Sequence, residues 1–150
     1  DTIMDVIPRP MSFFSFFCQH IESCVYTAVN QADIAPCPEQ DQILEIMMAK
    51  FDAMAPYKYF YKHIKGHLFN SVDVSFGLGL AEYDAFASLL RHYVFTEENL
   101  LDRIKIKGLY GIYLYTTDIW AADDTTDLSK TLAALDTMLT KGATFLERYQ

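Results

Sequence analysis

The sequence predicts an all-α domain of about six helices, and three observations carry that prediction. Apolar residues recur at three- and four-residue steps along most of the chain. Glycine and proline are sparse, and the five prolines stand where that periodicity breaks. The joints between periodic stretches are short and leave no room for a sheet.

The elements follow in order. Pro8 and Pro10 precede the first helix, and Ser12 is placed to cap it. Phe14, Phe17, Ile21, Cys24, Val25 and Ala28 then give one apolar face to about Asn30. Residues 32–38, ADIAPCP, read as a loop. The second helix, about Glu39–Ala55, carries a stripe of Leu44, Met47, Met48, Phe51 and Met54. Pro56 ends it or opens the next one at its first turn. The third, Tyr57–Phe69, gathers Tyr57, Phe60, Tyr61, Ile64 and Leu68 on one side, with Gly66 weakening its end. Residues 70–75 read as a polar joint.

A fourth helix, about Ser75–Phe95, presents Phe76, Leu80, Tyr83, Phe86 or Ala87, Leu90, and Tyr93 or Val94. Thr96 is a good N-cap for the fifth, with Glu97 and Glu98 behind it. This fifth helix, Glu97–Ala122, has one apolar face of Leu101, Ile104, Gly108, Ile112, Tyr115 and Ile119. A second face holds Leu109, Tyr113 and Trp120. A helix apolar on most sides is expected to be central. After a break at Asp123–Asp127 the last helix begins near Thr126 or Asp127. Its seam runs Leu128, Leu132, Leu135, Leu139, Gly142 and Leu146.

With 150 residues the chain fits one domain, 1–150, able to bury roughly 68–70% of its unfolded surface without disulfides or metals. The net charge of −8 repels phosphate backbones, and there is no basic stripe to reverse it. The chain by itself is therefore not expected to bind nucleic acid. Cys18, Cys24 and Cys37 are an odd set without paired spacing, which reads as free thiols in a reducing cytoplasm. The longest uncharged stretch, Pro10–Ile21, is too short for a membrane span, so no transmembrane segment is expected. No signal peptide is evident.

Candidate chemistry is sparse. His63 and His67 stand four apart on a helix, yet Ile64 occupies the position where a zincin helix needs Glu, and Lys62 and Lys65 add like charge. An exposed helix face explains them better than a metal site. Asp123, Asp124 and Asp127 lack the calcium-loop spacing, and helix capping accounts for them. Gly77-x-Gly79 is followed by Glu82 where a nucleotide fingerprint needs a small residue. Cys18 and His20 are close in sequence, but nothing further marks them as a nucleophilic pair. The expectation is no catalytic residue, no metal and no cofactor.

The aromatic content is high, with 11 Phe, 10 Tyr and one Trp. Such ring content is either plain core, the default, or the lining of an apolar ligand pocket, in which tyrosine hydroxyls orient the ligand. The candidate lining is Phe51, Met54, Phe60, Tyr83, Phe86, Tyr110, Tyr113 and Trp120. The two-faced fifth helix and the leucine seam of the sixth predict a two-fold homodimer. Its expected interface holds Leu109, Ile112, Tyr113, Leu128, Leu132, Leu135, Met138 and Leu139.

Two stretches carry a family resemblance. Met48-Ala49-Lys50-Phe51-Asp52-Ala53-Met54-Ala55-Pro56-Tyr57 resembles the "RFDxLxP" helix end of a group of bacterial TetR-like regulators. Trp120-x-x-Asp123-x-Thr125-x-Asp127-Leu128-Ser129-Lys130-Thr131-Leu132-x-x-Leu135-Asp136 is similar to the "W..D.S.DLS.TM..LD" signature that those regulators share with COQ9-like proteins of ubiquinone biosynthesis. The likeness covers about residues 40–148. It departs at Lys50 for Arg, Met54 for Leu, Thr125 for Ser and Leu132 for Met.

The resemblance implies a C-terminal ligand-binding and dimerisation domain. DNA would be bound only through an N-terminal helix-turn-helix missing from this chain. A COQ9-like relationship would instead imply a lipid-binding accessory protein. A dimeric helical scaffold without a ligand is a third possibility, which an absent apolar cavity would favour.

Overall fold

The computed structural model describes residues 10–68 and 72–149; for 10–12, 64–68 and 72–78 it describes the backbone alone. Among the described residues every regular element is helical, so the all-α bundle forms as predicted. The elements are α1 (Pro10–Ala28), the single turn α2 (Gln31–Ile34), α3 (Glu39–Met54), α4 (Lys58–Leu68), α5 (Val72–Tyr93), α6 (Leu100–Ala122) and α7 (Ser129–Glu147). A 3-10 turn, Ala55–Tyr57, joins α3 to α4.

Helix α1 packs on α5 and α3, α7 packs on α6 and α3, and α6 also meets α5. Helix α3 is central to this arrangement. Its inward face of Ile43, Ile46, Met47, Lys50, Phe51 and Met54 is buried. The facing helices bury Ile21 and Val25 of α1, Phe86, Leu89 and Leu90 of α5, Ile106, Tyr113 and Trp120 of α6, and Leu135 and Leu139 of α7. Burial of these large side chains is the main force holding the bundle, at roughly 1.5–3 kcal/mol per side chain against the entropy of ordering. No helix of the described chain is long and apolar enough to cross a membrane.

Several boundaries differ from expectation for identifiable reasons. Pro10 begins α1 instead of preceding it, because first-turn amides have no partner within the helix and proline's missing N–H costs nothing there. Part of the expected 32–38 loop is the turn α2, held where the Asn30 side chain accepts from the Ala32 amide at 3.1 Å. Of the expected joint at 70–75, residues 72–75 belong to α5, and 70–71 lie outside the described residues. The expected side chains of Ile64, Leu68 and Phe76 also lie outside them, as does that of His67.

Helix α6 starts at Leu100, not Glu97. Asn99, not Thr96, caps it in a reciprocal box. Asn99 accepts from the Asp102 amide at 3.0 Å, and Asp102 accepts from the Asn99 amide at 3.2 Å. Glu98 is thereby left to bind Arg91 and Arg103. Helix α7 starts at Ser129, after Leu128 takes a left-handed backbone with φ 51°. That conformation costs a leucine about 1–2 kcal/mol, and burial of the Leu128 side chain offsets it.

The α6–α7 corner is organised by Asp123. Its carboxylate accepts from the Thr131 amide at 2.8 Å, the Thr131 hydroxyl at 2.7 Å and the Thr125 amide at 3.0 Å, and from the Thr125 hydroxyl. Burial pushes the Asp123 carboxyl up, but the threonine hydrogen bonds outweigh burial and hold it well below the usual carboxylate range. The aspartates of this loop thus cap and brace the helix, as the sequence implied.

Candidate functional site

The aromatic residues singled out from the sequence converge on one wall between α3, α5 and α6. Phe51 stacks on Tyr113 with ring centres 5.4 Å apart, and Tyr113 stacks on Phe86 at 5.1 Å. Phe51 also stacks on Trp120 at 5.8 Å. Tyr110 reaches Phe86 at 5.5 Å and Tyr83 at 5.2 Å. Met54 is placed by the same helix turn, and its sulfur lies 3.3 Å from the Tyr113 hydroxyl. The α3 spacing Met47, Lys50/Phe51, Met54 aims all of these at α6.

Phe60 stands apart from the wall. It is exposed and lies against Phe13 at 6.1 Å and Phe17 at 6.0 Å. The 3-10 turn after Met54 breaks the helical phase that would have carried α4 onto the same face. Tyr61, not Phe60, joins the wall, with its ring edge 5.6 Å from Trp120.

The wall also holds polar groups that the sequence reading missed. Tyr113 donates its hydroxyl to Glu82 Oε1 at 2.8 Å. The Lys50 ammonium lies over the Tyr113 ring, 4.9 Å from its centre, and 5.9 Å from that of Phe86. Burial lowers the Lys50 pKa, and the nearby Glu82 charge opposes that shift. Burial and the same carboxylate raise the Tyr113 hydroxyl well above its ordinary value and push Tyr61 up to about 12. Tyr113 and Tyr61 therefore remain protonated donors at neutral pH. Lys50 was discoverable: it stands three residues after Met47 and four before Met54, in phase with the apolar stripe.

Cys18 is buried near this cluster, and burial pushes its thiol up to about 12 against the pull of Lys50. A protonated, enclosed thiol is a poor nucleophile. His20 does not serve it; His20 Nε2 lies 3.7 Å from Cys24 Sγ and 3.3 Å from the Tyr57 hydroxyl, both at the surface. His63 stacks on Tyr59 at 6.4 Å. Among the described residues no group of three or more His, Cys, Asp or Glu is placed to hold a metal ion.

The residues expected at a dimer interface fall into three groups. Tyr113, Leu128, Leu135 and Leu139 are buried within the monomer and cannot form a surface contact. Their repeat is real, but it is the seam by which α6 and α7 pack on α3. Leu109, Ile112 and Met138 are half-buried along a cleft between α6 and α7, a cavity of about 460 Å3 that Gly108, Gly142 and Phe145 also line. Leu132 is exposed, as are Leu101, Ile104, Tyr115 and Phe145. The outward α6 stripe is thus Leu101, Ile104, Gly108, Ile112 and Tyr115. At Gly108 and Gly111 an added Cβ would meet nothing within 4 Å.

Comparison of the chain with protein-family models, curated proteins and solved structures finds no significant match, so the TetR-like resemblance rests on its two motifs.

Proposed function

We propose that this chain is the effector-binding and dimerisation domain of a TetR-like transcriptional regulator, a cytoplasmic binding domain and not an enzyme. The observation that carries the reading is the aromatic wall of Phe51, Phe86, Tyr110 and Tyr113, which extends from full burial to the half-buried Tyr83 and Tyr110. The half-buried margin of that wall, at Tyr83 and Tyr110, would take a small apolar ligand and orient it through a few polar groups. The second support is the outward apolar stripe of α6 beside Phe145 of α7, where exposed glycines permit a second copy's helix to approach closely. A ligand that favours one packing of paired copies would shift the spacing of DNA-reading heads carried by a separate helix-turn-helix unit.

A COQ9-like lipid-binding role in ubiquinone biosynthesis is the second reading. The exposed aromatics Phe13, Phe16, Tyr59 and Phe60 favour it, because rings displayed together at a surface suit a lipid interface. Co-sedimentation with lipid vesicles separates the two: binding lost in Phe16→Ser with Tyr59→Ser supports the lipid role, and no binding supports the regulator. Sedimentation equilibrium at tens of micromolar tests the dimer, and a monomer there removes the dimerisation role.

A further inference from the structure

The aromatic wall buries a cation for which it provides no acceptor. Lys50 is 4% exposed and touches ring faces. No hydrogen bond or ion pair to its ammonium is found among the described residues. Glu82 influences it only through its charge, while Oε1 of that carboxylate is occupied by the Tyr113 hydroxyl. The buried Cys18 thiol stays neutral and offers no anion. Ring faces recover only part of the cost of removing an ammonium from water.

A second buried donor points the same way. The Trp120 indole Nε1 is enclosed and has no hydrogen-bond partner among the described residues. Trp120 and Lys50 flank one stack, because Phe51 lies against both Trp120 and Tyr113. The stack therefore carries more buried donors than acceptors, although buried polar groups are nearly always paired. What it lacks is a hydrogen-bond acceptor for the Lys50 ammonium and the Trp120 indole, since Glu82 acts on Lys50 through its charge alone.

We propose that Lys50 anchors the carboxylate of an elongated apolar acid whose hydrocarbon chain lies along the Phe86–Tyr113 wall. This rests on the ligand-binding reading above and names the class of ligand. Tyr61, Glu82 and Tyr110 are only half-buried, so an acid head would reach Lys50 from their side of the stack. The Glu82 carboxylate repels any anionic head, and a doubly charged phosphate more strongly than a singly charged carboxylate, so the smaller charge is favoured.

Titration calorimetry of the full chain with dodecanoate and with 1-dodecanol at neutral pH tests the proposal. The acid is expected to bind about tenfold more tightly than the alcohol, as a charge-assisted hydrogen bond in a buried site provides. Lys50→Met should bind both alike and keep its affinity for the alcohol, and Lys50→Gln serves as a second neutral variant. Equal affinity for acid and alcohol in the unmodified chain overturns the proposal and leaves the apolar-ligand reading standing. So does a preference for the acid that persists in a folded neutral variant. Binding of neither compound removes the ligand-binding reading and the proposal with it.

Discussion

Two buried charges that meet α6, Asp123 at its C-terminal end and Lys50 of α3 against its middle, are treated in opposite ways. Asp123, at the C-terminal end, accepts hydrogen bonds from the amides and hydroxyls of both Thr125 and Thr131. Lys50 packs against the middle of α6 and has the faces of Tyr113 and Phe86 instead. Desolvating either ion costs several kcal/mol. Only at Asp123 does the surrounding chain return that cost in full, so the corner reads as a structural clasp. At Lys50 no hydrogen bond among the described residues returns that cost, and it is there that we propose a ligand carboxylate.

The contrast is broken most severely at the clasp. Asp123→Ala leaves the Thr131 amide and hydroxyl buried without an acceptor and should lower stability by about 3 kcal/mol or more, measured by urea denaturation. A loss below about 1 kcal/mol would show that the corner holds without it. Acid acts on the same group. Because the folded carboxyl lies below its ordinary value of 3.8, the unfolded chain takes up its proton first as pH falls. The stability that Asp123 contributes is full above about pH 5 and is lost from about pH 4 downward. Asp123→Asn should lack this component, visible as a flatter stability-versus-pH curve in acid.

A smaller effect is expected at Lys50. Lys50→Met trades ring contacts for relief from desolvation and should change stability by less than about 1 kcal/mol in either direction. A loss of 3 kcal/mol would make Lys50 a structural ion like Asp123. The sign of its pH dependence is also defined. With the folded pKa lowered, the penalty is present in full below that folded value and is relieved as pH rises toward 10.5. The unmodified chain should therefore gain stability relative to Lys50→Met on the alkaline side.

The smallest change in stability belongs to the surface. Ile104→Glu, on a residue 56% exposed, should alter folding by no more than about 0.5 kcal/mol. It should nonetheless dissociate a dimer built on the α6 stripe, read by sedimentation velocity. Retained dimer with native stability would move the interface elsewhere.

Helical periodicity made the bundle legible, because long apolar stripes specify both the element and its buried face. Phe51, Phe86, Tyr113 and Trp120 each fall in an apolar stripe of their own helix, which marked them as buried. Phe60 could not be placed relative to them, since the turn at Ala55–Tyr57 resets the phase between α3 and α4 and sequence spacing does not cross such a break. The leucines of α7 showed that one face packs, but a seam of this kind reads the same whether its partner is another helix of the chain or of a second copy. Leu135 and Leu139 turned out to face α3 and α6. Lys50 was left out of the wall for a different reason: a charged residue in an apolar register is ordinarily taken for a surface residue at the stripe's edge. The α6 start was misplaced because Thr96 and Asn99 are both good caps, and the reciprocal partner Asp102 decides between them.

Thermal unfolding of the unmodified chain and of Lys50→Met, each with and without saturating dodecanoate, tests the central contrast most directly. A ligand at about 100 times its dissociation constant adds about 2.7 kcal/mol to the folded state, which for a domain of this size raises Tm by roughly 5–10 °C. The account predicts that rise in the unmodified chain and a much smaller one in Lys50→Met. Equal rises in both, or none in either, would contradict the claim that the unsatisfied lysine is held for a ligand.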